Sequence, residues 1–192
     1  LYQWGRKDPF LGSSSISSYT VAMSTLTWPS AVSSDSSNGT IEYSVEHPTT
    51  FITYNGSNYD WYYTGSSSTD NTRWQSSKTI YDPCPAGWRV PDGGDNGVWN
   101  VAGFSDTTYD DTNKGISFRI SSPSTTWYPA SGGRDDGDGA LSNVGYNGFY
   151  WSVTPLGSYA CSLDFLSSGH VDPADAHYRV SGFSVRCLQE SE

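Results

Sequence analysis

Two histidines and two aspartates near the end of the chain carry side chains that could bind a metal ion or transfer protons. They are His170, Asp172, Asp175 and His177. Acid–base catalysis needs one oriented base with a fixed partner. These four residues instead lie among side chains whose types look freely chosen, in the runs Ser-Ser-Gly-His and Ala-Asp-Ala-His-Tyr. We therefore expect them to act as surface contacts, and we expect neither a metal ion nor a catalytic role here.

A second group of carboxylates occurs in the run Arg-Asp-Asp-Gly-Asp-Gly at 134–139. Calcium takes oxygen ligands from acidic loops of this kind, but the twelve-residue pattern with its distal Glu is missing. The sequence favours a solvated surface loop at Asp135–Asp138, with calcium binding as the open alternative.

Nucleophilic catalysis has little support in the chain. Serines are abundant, yet the Gly-x-Ser-x-Gly elbow does not occur. Cys161 has no basic neighbour in sequence that would lower the pKa of its thiol. The expectation is a protein that is not an enzyme and that needs no cofactor.

Charge and composition exclude several classes of partner. The formal net charge is −10, and the 10 Lys and Arg residues are scattered. Such a field opposes binding to a nucleic-acid backbone. No apolar run is long enough to span a membrane, so we expect no direct membrane insertion of this domain. The 20 Gly and 10 Pro favour short strands, turns and ordered loops over long helices.

The stretch from Gly148 to Cys187 combines two kinds of residue. Phe149, Trp151, Leu163 and Phe165 alternate as in strands packed on a core. Between the packed positions lie freely chosen side chains, and Tyr159 and Tyr178 are expected to point outward. A rigid scaffold with replaceable side chains is typical of a binding surface, where exposed Tyr is a frequent contact. The candidate ligand-binding residues are Leu156, Gly157, Ser158, Tyr159, Cys161, Asp164, Leu166, Ser168, His170, Asp172, Ala174, Asp175, Ala176, His177, Tyr178, Val180 and Ser181.

Two short helices are predicted in the first half of the chain. Thr40 is a plausible N-cap for a helix at 40–47 with Ile41, Tyr43 and Val45 facing inward, and Pro48 ends it. A second helix begins near Asp95 or Asn96, carries Val98, Trp99 and Ala102 inward, and ends at Gly103. Trp88, Trp99 and Trp151 are assigned to the core. Trp61, Tyr62 and Trp74 are expected to anchor the long loop at 55–79.

The remaining elements are predicted to be strands. They lie at about 1–5, around Tyr19–Met23, at 116–120, near Trp127–Tyr128, and at 148–153, 160–166, 169–171 and 182–188. No repeat or linker divides the chain, so we expect one α+β domain over 1–192 with an antiparallel core. The chain begins at Leu-Tyr-Gln-Trp-Gly, which suggests the C-terminal part of a longer surface protein.

Three cysteines leave one thiol unpaired inside the chain. Cys84 lies between two prolines and Cys187 ends a strand-like run. A disulfide between them would close a loop of roughly 100 residues and contribute on the order of 4 kcal/mol in the chain-entropy model. Two reduced, buried thiols remain the alternative.

Four spaced motifs resemble the Fibrobacter succinogenes major paralogous domain. They are Tyr-Gln-Trp-Gly-Arg-Lys-Asp-Pro-Phe at 2–10, Cys-Pro-Ala-Gly-Trp-Arg-Val-Pro at 84–91, Tyr-Trp-Ser at 150–152 and Gly-Phe-Ser-Val-Arg-Cys at 182–187. The family is common in surface and secreted proteins of Bacteroidetes and is similar to the C-type lectin fold. The resemblance implies two helices, a small antiparallel sheet and long ordered loops. The related formylglycine-generating fold hosts an enzyme, but its cysteine pair has no counterpart here.

Some members of this broad fold are targets of diversity-generating retroelements, which randomise adenines in Asn codons. Such codons cannot yield Lys, Glu, Gln, Met or Trp. None of these five residue types occurs between Ser152 and Cys187, although the whole chain contains 19 of them. The resemblance therefore implies a variable protein, while an ordinary ligand-binding member would look the same.

The calcium-dependent sugar site of lectins is not expected. It needs a Glu-Pro-Asn or Gln-Pro-Asp loop and a Trp-Asn-Asp strand, whereas the chain has Val90-Pro91-Asp92 and Trp99-Asn100-Val101. The resemblance implies an adhesin or receptor-like module that binds a protein or glycan on another cell. It would be displayed on the bacterial surface, secreted or carried on a phage particle. The alternative is a structural or tip subunit of a surface appendage.

Overall fold

A computed structural model describes residues 1–13, 31–56, 59–65, 69–102, 107–121 and 124–190. The strand expected around Tyr19–Met23 and the helix end expected at Gly103 lie outside these ranges. Within the described residues, the protein consists mainly of small antiparallel sheets with two short helices, a mixed α+β fold. No helix in this part of the chain is long and apolar enough to cross a membrane.

The first helix, α1 (Ile41–Glu46), forms where the sequence predicts it. The Thr40 side chain accepts a hydrogen bond from the Tyr43 amide at 3.0 Å, which satisfies a donor that has no partner within the helix. Ile41 and Tyr43 pack against the core. Val45 is 66 % exposed, so its predicted inward position is wrong.

The second helix, α2 (Val98–Ala102), begins later than predicted. Gly94 and Gly97 form a turn through a 2.9 Å backbone hydrogen bond, and Gly94 has a φ of +73°. The Val101 amide donates to the Gly97 carbonyl oxygen at 3.0 Å, an α-helical hydrogen bond, so the helix starts at Val98 rather than at Asp95 or Asn96. Trp99 is buried as expected.

The strands are short except in the C-terminal half, where three of eight to ten residues are consecutive. They are β1 (Tyr2–Gln3), β2 (Val32–Ser33), β3 (Ile52–Thr53), β4 (Trp88–Arg89), β5 (Tyr109–Asp110), β6 (Gly115–Ser121), β7 (Ser124–Pro129), β8 (Gly133–Arg134), β9 (Leu141–Ser142), β10 (Asn147–Leu156), β11 (Tyr159–Leu166), β12 (Val171–Tyr178), β13 (Gly182–Phe183) and β14 (Leu188–Gln189).

Antiparallel pairing dominates the sheets. The orders are β1-β13-β8-β9, β10-β11-β12, β5-β6-β7 and β14-β4, whereas β2 and β3 pair in parallel. Two predicted strands need correction. The strand expected at 169–171 is β12 at 171–178, and the one expected at 182–188 is divided into β13 and β14, each of two residues.

Three apolar clusters fill the interior. One surrounds Trp4, Trp74 and Trp151, the second surrounds Trp99, Phe118 and Phe165, and the third surrounds Phe51 and Trp61. The predicted anchors Trp61 and Trp74 are fully buried. Trp88 is 41 % exposed, so its assignment to the core is wrong. Among the residues that the structure describes, its strand, β4, pairs only with β14.

A disulfide joins Cys84 to Cys187, which confirms the predicted pair. The two residues are 103 positions apart in sequence, and their Cα atoms are 5.8 Å apart. The bond lies next to the β4–β14 pair, where Arg89 is opposite Leu188. It therefore ties the end of the chain to its middle. Cys161 is free and buried.

Candidate functional site

The three-stranded sheet β10-β11-β12 carries most of the predicted contact residues. Its middle strand, β11, is buried almost throughout, because both faces of the sheet are covered. On one face Trp151 and Ala160 pack in the cluster around Trp4. On the other face Leu163 and Phe165 pack against the cluster around Trp99. The edge strand β12 is half-buried at every residue, so it is the strand that meets solvent.

Three tyrosine rings are stacked at one end of this sheet. The strand register places Tyr159 opposite Tyr178, with ring centroids 5.1 Å apart. Tyr59 stacks on Tyr178 at 4.2 Å and lies 6.3 Å from Tyr159. All three side chains are half-buried. Hydrogen bonding with Tyr159 and partial burial raise the pKa of Tyr178 to about 12, which keeps its phenol protonated at neutral pH.

A buried arginine holds the β10–β11 turn next to these rings. The Arg179 guanidinium donates to the carbonyl oxygens of Tyr159 (3.0 Å) and Gly157 (2.9 Å), and to Asn71 Oδ1 (2.6 Å). It also lies over the Trp4 ring at 4.3 Å. Burial lowers its pKa to about 10, so it stays charged at neutral pH. A charged group with this many acceptors fixes the turn to the loop at 69–73.

The tyrosine stack and Arg179 show what sequence reasoning missed. Tyr59 lies in the aromatic loop at 55–79, and the richness of that loop in Tyr and Trp was the signal that could have indicated it. Arg179 is flanked by Tyr178 and Val180 in a strand-like run, where a charged residue is unusual. The sequence contains no signal for the acceptors of Arg179, because they come from distant segments.

A second polar group lies on the opposite side of β12. Asp164 Oδ2 is 2.7 Å from His177 Nε2, and Asp175 Oδ2 is 3.4 Å from the same nitrogen. Burial raises the pKa of Asp164, since only His177 and Ser162 compensate its charge. Burial works against the charged imidazole, yet the hydrogen bond and charge of Asp164 raise the pKa of His177 above its ordinary value.

This grouping differs from the one that the sequence suggested. Of the four residues, Asp175 and His177 do come close together, and the third member of their group is Asp164 from β11. His170 is exposed in the turn before β12, and Asp172 accepts a hydrogen bond from the Ala174 amide. Within the described residues, the Asp164–Asp175–His177 cluster is the only group of three potential metal ligands close enough to share an ion.

The acidic loop at 135–138 is organised by local hydrogen bonds. Asp135 Oδ1 accepts from the Gly137 amide at 2.9 Å, and Asp138 Oδ1 accepts from the Ala140 amide at 2.7 Å. These are turn contacts of the type that Asp commonly makes. Burial and the neighbouring Asp135 carboxylate raise the pKa of Asp136.

The predicted contact residues divide by exposure. Four candidate side chains are buried, so their predicted outward positions are wrong: Cys161, Asp164, Val180 and Ser181. The exposed candidates are Leu156, Gly157, Ser168 and His170. The half-buried candidates are Ser158, Tyr159, Leu166, Asp172, Ala174, Asp175, Ala176, His177 and Tyr178. Strand alternation explains the error at Cys161, which lies on the face of β11 that contacts the Gly93–Gly94 turn.

A polar pocket of about 290 Å³ borders the same edge of the sheet. Its lining includes His177 and Tyr178 from β12 and Arg134, Asp135 and Asp136 from β8 and the acidic loop. The pocket therefore joins the tyrosine stack and the acidic loop into one continuous surface. We call this continuous surface the β12 surface. It comprises the exposed and half-buried candidate residues between Leu156 and Tyr178, together with Tyr59 and the residues that line this pocket.

No family model, no curated protein and no solved structure has a significant match to this chain.

Proposed function

We propose that the protein is a ligand-binding module, an adhesin or receptor-like domain, that binds its ligand through the β12 surface. One observation carries this proposal: half-exposed stacked tyrosines, Tyr59, Tyr159 and Tyr178, lie on a sheet whose middle strand is buried. Tyrosine contributes large contact area at a small cost in conformational entropy, and its hydroxyl adds hydrogen bonds.

The chemistry of the surface suits a ligand with both apolar and polar groups. The tyrosine rings and Leu156, which is 53 % exposed, offer apolar area at the β10–β11 turn. The adjoining pocket offers the carboxylates of Asp135 and Asp136, whereas the Arg134 guanidinium is buried and donates to backbone carbonyl oxygens. A protein or a glycan on another cell presents such a mixture, and it is the class of ligand that we propose.

A rigid scaffold supports the exposed positions. The Arg179 hydrogen bonds fix the turn at Gly157, and the disulfide ties Cys84 to the end of the chain. Exposed side chains at the turns before and after β11 can then vary at little cost to packing. This supports the C-type lectin-like scaffold and the variable surface that the sequence motifs imply, and we propose both for this chain.

We propose a binding role rather than a catalytic one. Burial raises the pKa of the Cys161 thiol, and three nearby aspartates act in the same direction. A nucleophilic cysteine needs the reverse, an electropositive setting that favours the thiolate. The disulfide fits an oxidising environment. We therefore propose display on the bacterial surface, secretion or presence on a phage particle.

A binding assay with matched surface variants tests the proposal. The fluorescently labelled protein is presented to a glycan array and to a panel of intact cells in flow cytometry. Leu156→Ser combined with Tyr159→Ser is expected to lower binding at least tenfold. Val45→Ser is the control, because Val45 is 66 % exposed on α1, outside the β12 surface, and its change should leave binding unaltered.

His177 is unsuitable for this test. Its imidazole pairs with Asp164 and contacts the rings of Phe149 and Phe183, so its removal would affect folding as well as binding. Unchanged binding of the folded Leu156/Tyr159 variant would refute the proposed surface. A loss of thermal stability of that variant much larger than that of Val45→Ser would mean that Tyr159 belongs to the core.

A further inference from the structure

Two carboxylates and one imidazole meet between β11 and β12. Asp175 and His177 are two positions apart on β12 and therefore lie on the same face, and Asp164 projects from the neighbouring strand. One oxygen of each carboxylate and His177 Nε2 all lie within 4.8 Å of one another. We propose that Asp164, Asp175 and His177 bind one divalent transition-metal ion of the Zn²⁺ type.

Each carboxylate already has its other oxygen fixed by a protein donor. Ser162 Oγ donates to Asp164 Oδ1 at 2.8 Å, and the Ala176 amide donates to Asp175 Oδ1 at 2.8 Å. Both Oδ2 atoms face His177 Nε2. Hydrogen bonds of this kind orient metal ligands and commonly change metal affinity by about 10–100-fold.

The imidazole is also fixed in orientation. The His177 ring makes edge contacts with Phe183, at a centroid distance of 4.9 Å, and with Phe149 at 5.6 Å. These contacts leave Nε2 directed at the two carboxylates. A ligand set with fixed rings and fixed carboxylates loses little conformational entropy when an ion binds.

The two distances from His177 are close to those around a tetrahedral ion, and the two carboxylate oxygens lie within 4.8 Å of each other. Zn²⁺ binds nitrogen and oxygen at about 2.0–2.1 Å, which places neighbouring tetrahedral ligands about 3.3 Å apart. His177 Nε2 and Asp175 Oδ2 are already 3.4 Å apart. His177 Nε2 and Asp164 Oδ2 are 2.7 Å apart and must separate slightly as the ion replaces their hydrogen bond.

Exposure and charge complete the site. The Asp175 side chain is 43 % exposed and that of His177 is 29 % exposed, so solvent can supply the fourth ligand. The Asp164 side chain is only 9 % exposed and needs a positive partner. A dication with two carboxylates and a neutral imidazole makes the group electrically neutral, which favours binding in a half-buried position.

The ligand types select the class of metal. Calcium and magnesium prefer sets made only of oxygen atoms, whereas an imidazole with carboxylates suits zinc and its neighbours in the first transition row. This inference replaces the sequence-based expectation that no metal binds near His177. It also places the candidate metal site in the sheet rather than in the acidic loop at 135–138.

Calorimetric titration with Zn²⁺ tests the site in the full chain without a histidine tag. We expect one ion per chain, and Co²⁺ is expected to give the intense visible absorption of a tetrahedral complex. Asp175→Asn should weaken Zn²⁺ binding at least tenfold. We expect this variant to fold normally, because the Asp175 side chain is 43 % exposed. Asp172→Asn is the matched control on the same strand and should keep the affinity within twofold.

A second variant tests whether the bound Zn²⁺ is held by His177 or by the other two histidines. The chain has three histidines, and the double substitution His47→Ala with His170→Ala leaves only His177. Zn²⁺ binding should persist in this variant. The assignment is overturned if the unaltered protein does not bind Zn²⁺ or if the double variant no longer binds it. It is also overturned if Ca²⁺ binds with equal affinity, or if Asp172→Asn weakens Zn²⁺ binding as much as Asp175→Asn does. Because the titration uses no macromolecular ligand, its outcome is independent of the proposed binding function.

Discussion

The buried carboxylate of Asp60 lies against two buried guanidinium groups, and its replacement by an amide is the most direct test of what fixes the β10–β11 turn. Asp60 Oδ2 pairs with Arg73 Nη2 and is 3.6 Å from Arg179 Nη1. All three side chains are at most 1 % exposed. Asp60→Asn keeps the shape of the side chain and removes its charge.

The expected cost is large because the buried Arg179 guanidinium keeps its charge at neutral pH. Burial lowers the pKa of Arg179 to about 10, still well above neutral pH. Removing one partner of a buried ion pair commonly costs about 3–5 kcal/mol. The Trp4 ring, 4.3 Å from Arg179, and nearby carbonyl oxygens continue to stabilise the guanidinium, so we expect a loss of about 3 kcal/mol.

Urea unfolding at pH 7 measures this loss, and thermal unfolding should show a Tm lower by roughly 6–12 °C. The loss should persist at high salt, because buried charges are screened little. Amide hydrogen exchange should accelerate across the β10–β11 turn, because Arg179 holds the carbonyl oxygens of Gly157 and Tyr159 in place.

Asp111→Asn is the matched control. Asp111 pairs with Lys114 at 2.6 Å, but its side chain is 85 % exposed. An exposed pair contributes less than about 1 kcal/mol and is weakened by salt. The reasoning is refuted if Asp60→Asn costs less than about 1 kcal/mol, or if the two variants lose similar stability.

Three further predictions concern the rest of the scaffold. Reduction of the Cys84–Cys187 disulfide, which spans 103 positions, should lower the free energy of unfolding by about 4–5 kcal/mol, and urea unfolding with and without reductant should show it. Gly148→Ala places a Cβ 2.1 Å from the Phe165 ring and should cost about 1–3 kcal/mol, whereas Gly12→Ala meets no atom within 4 Å and should be neutral. Tyr150→Phe loses a 2.6 Å hydrogen bond to the Pro129 carbonyl oxygen, a cost of about 1–2 kcal/mol at pH 7. Burial raises the pKa of Tyr150 above its ordinary value of 10.0, so the unfolded chain ionises first as pH rises and the unaltered protein loses stability above about pH 10. Unfolding measured at pH 7, 9 and 11 should therefore show that the difference in unfolding free energy between Tyr150→Phe and the unaltered protein shrinks as pH rises. A constant difference would contradict burial of Tyr150 as the cause of its raised pKa.

Sequence patterns predicted the elements that depend on local chemistry. The Thr40 cap and Pro48 bound α1, because a side-chain oxygen and a missing amide act within one turn of helix. Alternation at Ile116 and Phe118 predicted β6, since period-two burial is a property of a single strand. The same alternation identified β10 and β11 from Trp151 and Leu163.

Edge strands and turns were predicted less well. The residues of β12 are half-buried on both sides and include Pro173, Ala174 and Ala176, so they show little apolar alternation. Trp88 was assigned to the core from its type, but in the described part of the chain its strand pairs only with β14, and Trp88 is 41 % exposed. Residue type alone does not determine which side of a two-stranded pair meets solvent.

The sequence by itself determined the mixed fold, the buried strands and the cysteines able to pair, and it predicted a stretch of replaceable side chains from Leu156 to Tyr178. Tertiary structure alone decided which of those side chains meet. Strand register places Tyr159 beside Tyr178, and β11 supplies Asp164 to Asp175 and His177. The physical reason is that pairing between strands depends on the packing of whole faces. The local sequence therefore does not show which residues become neighbours across a sheet.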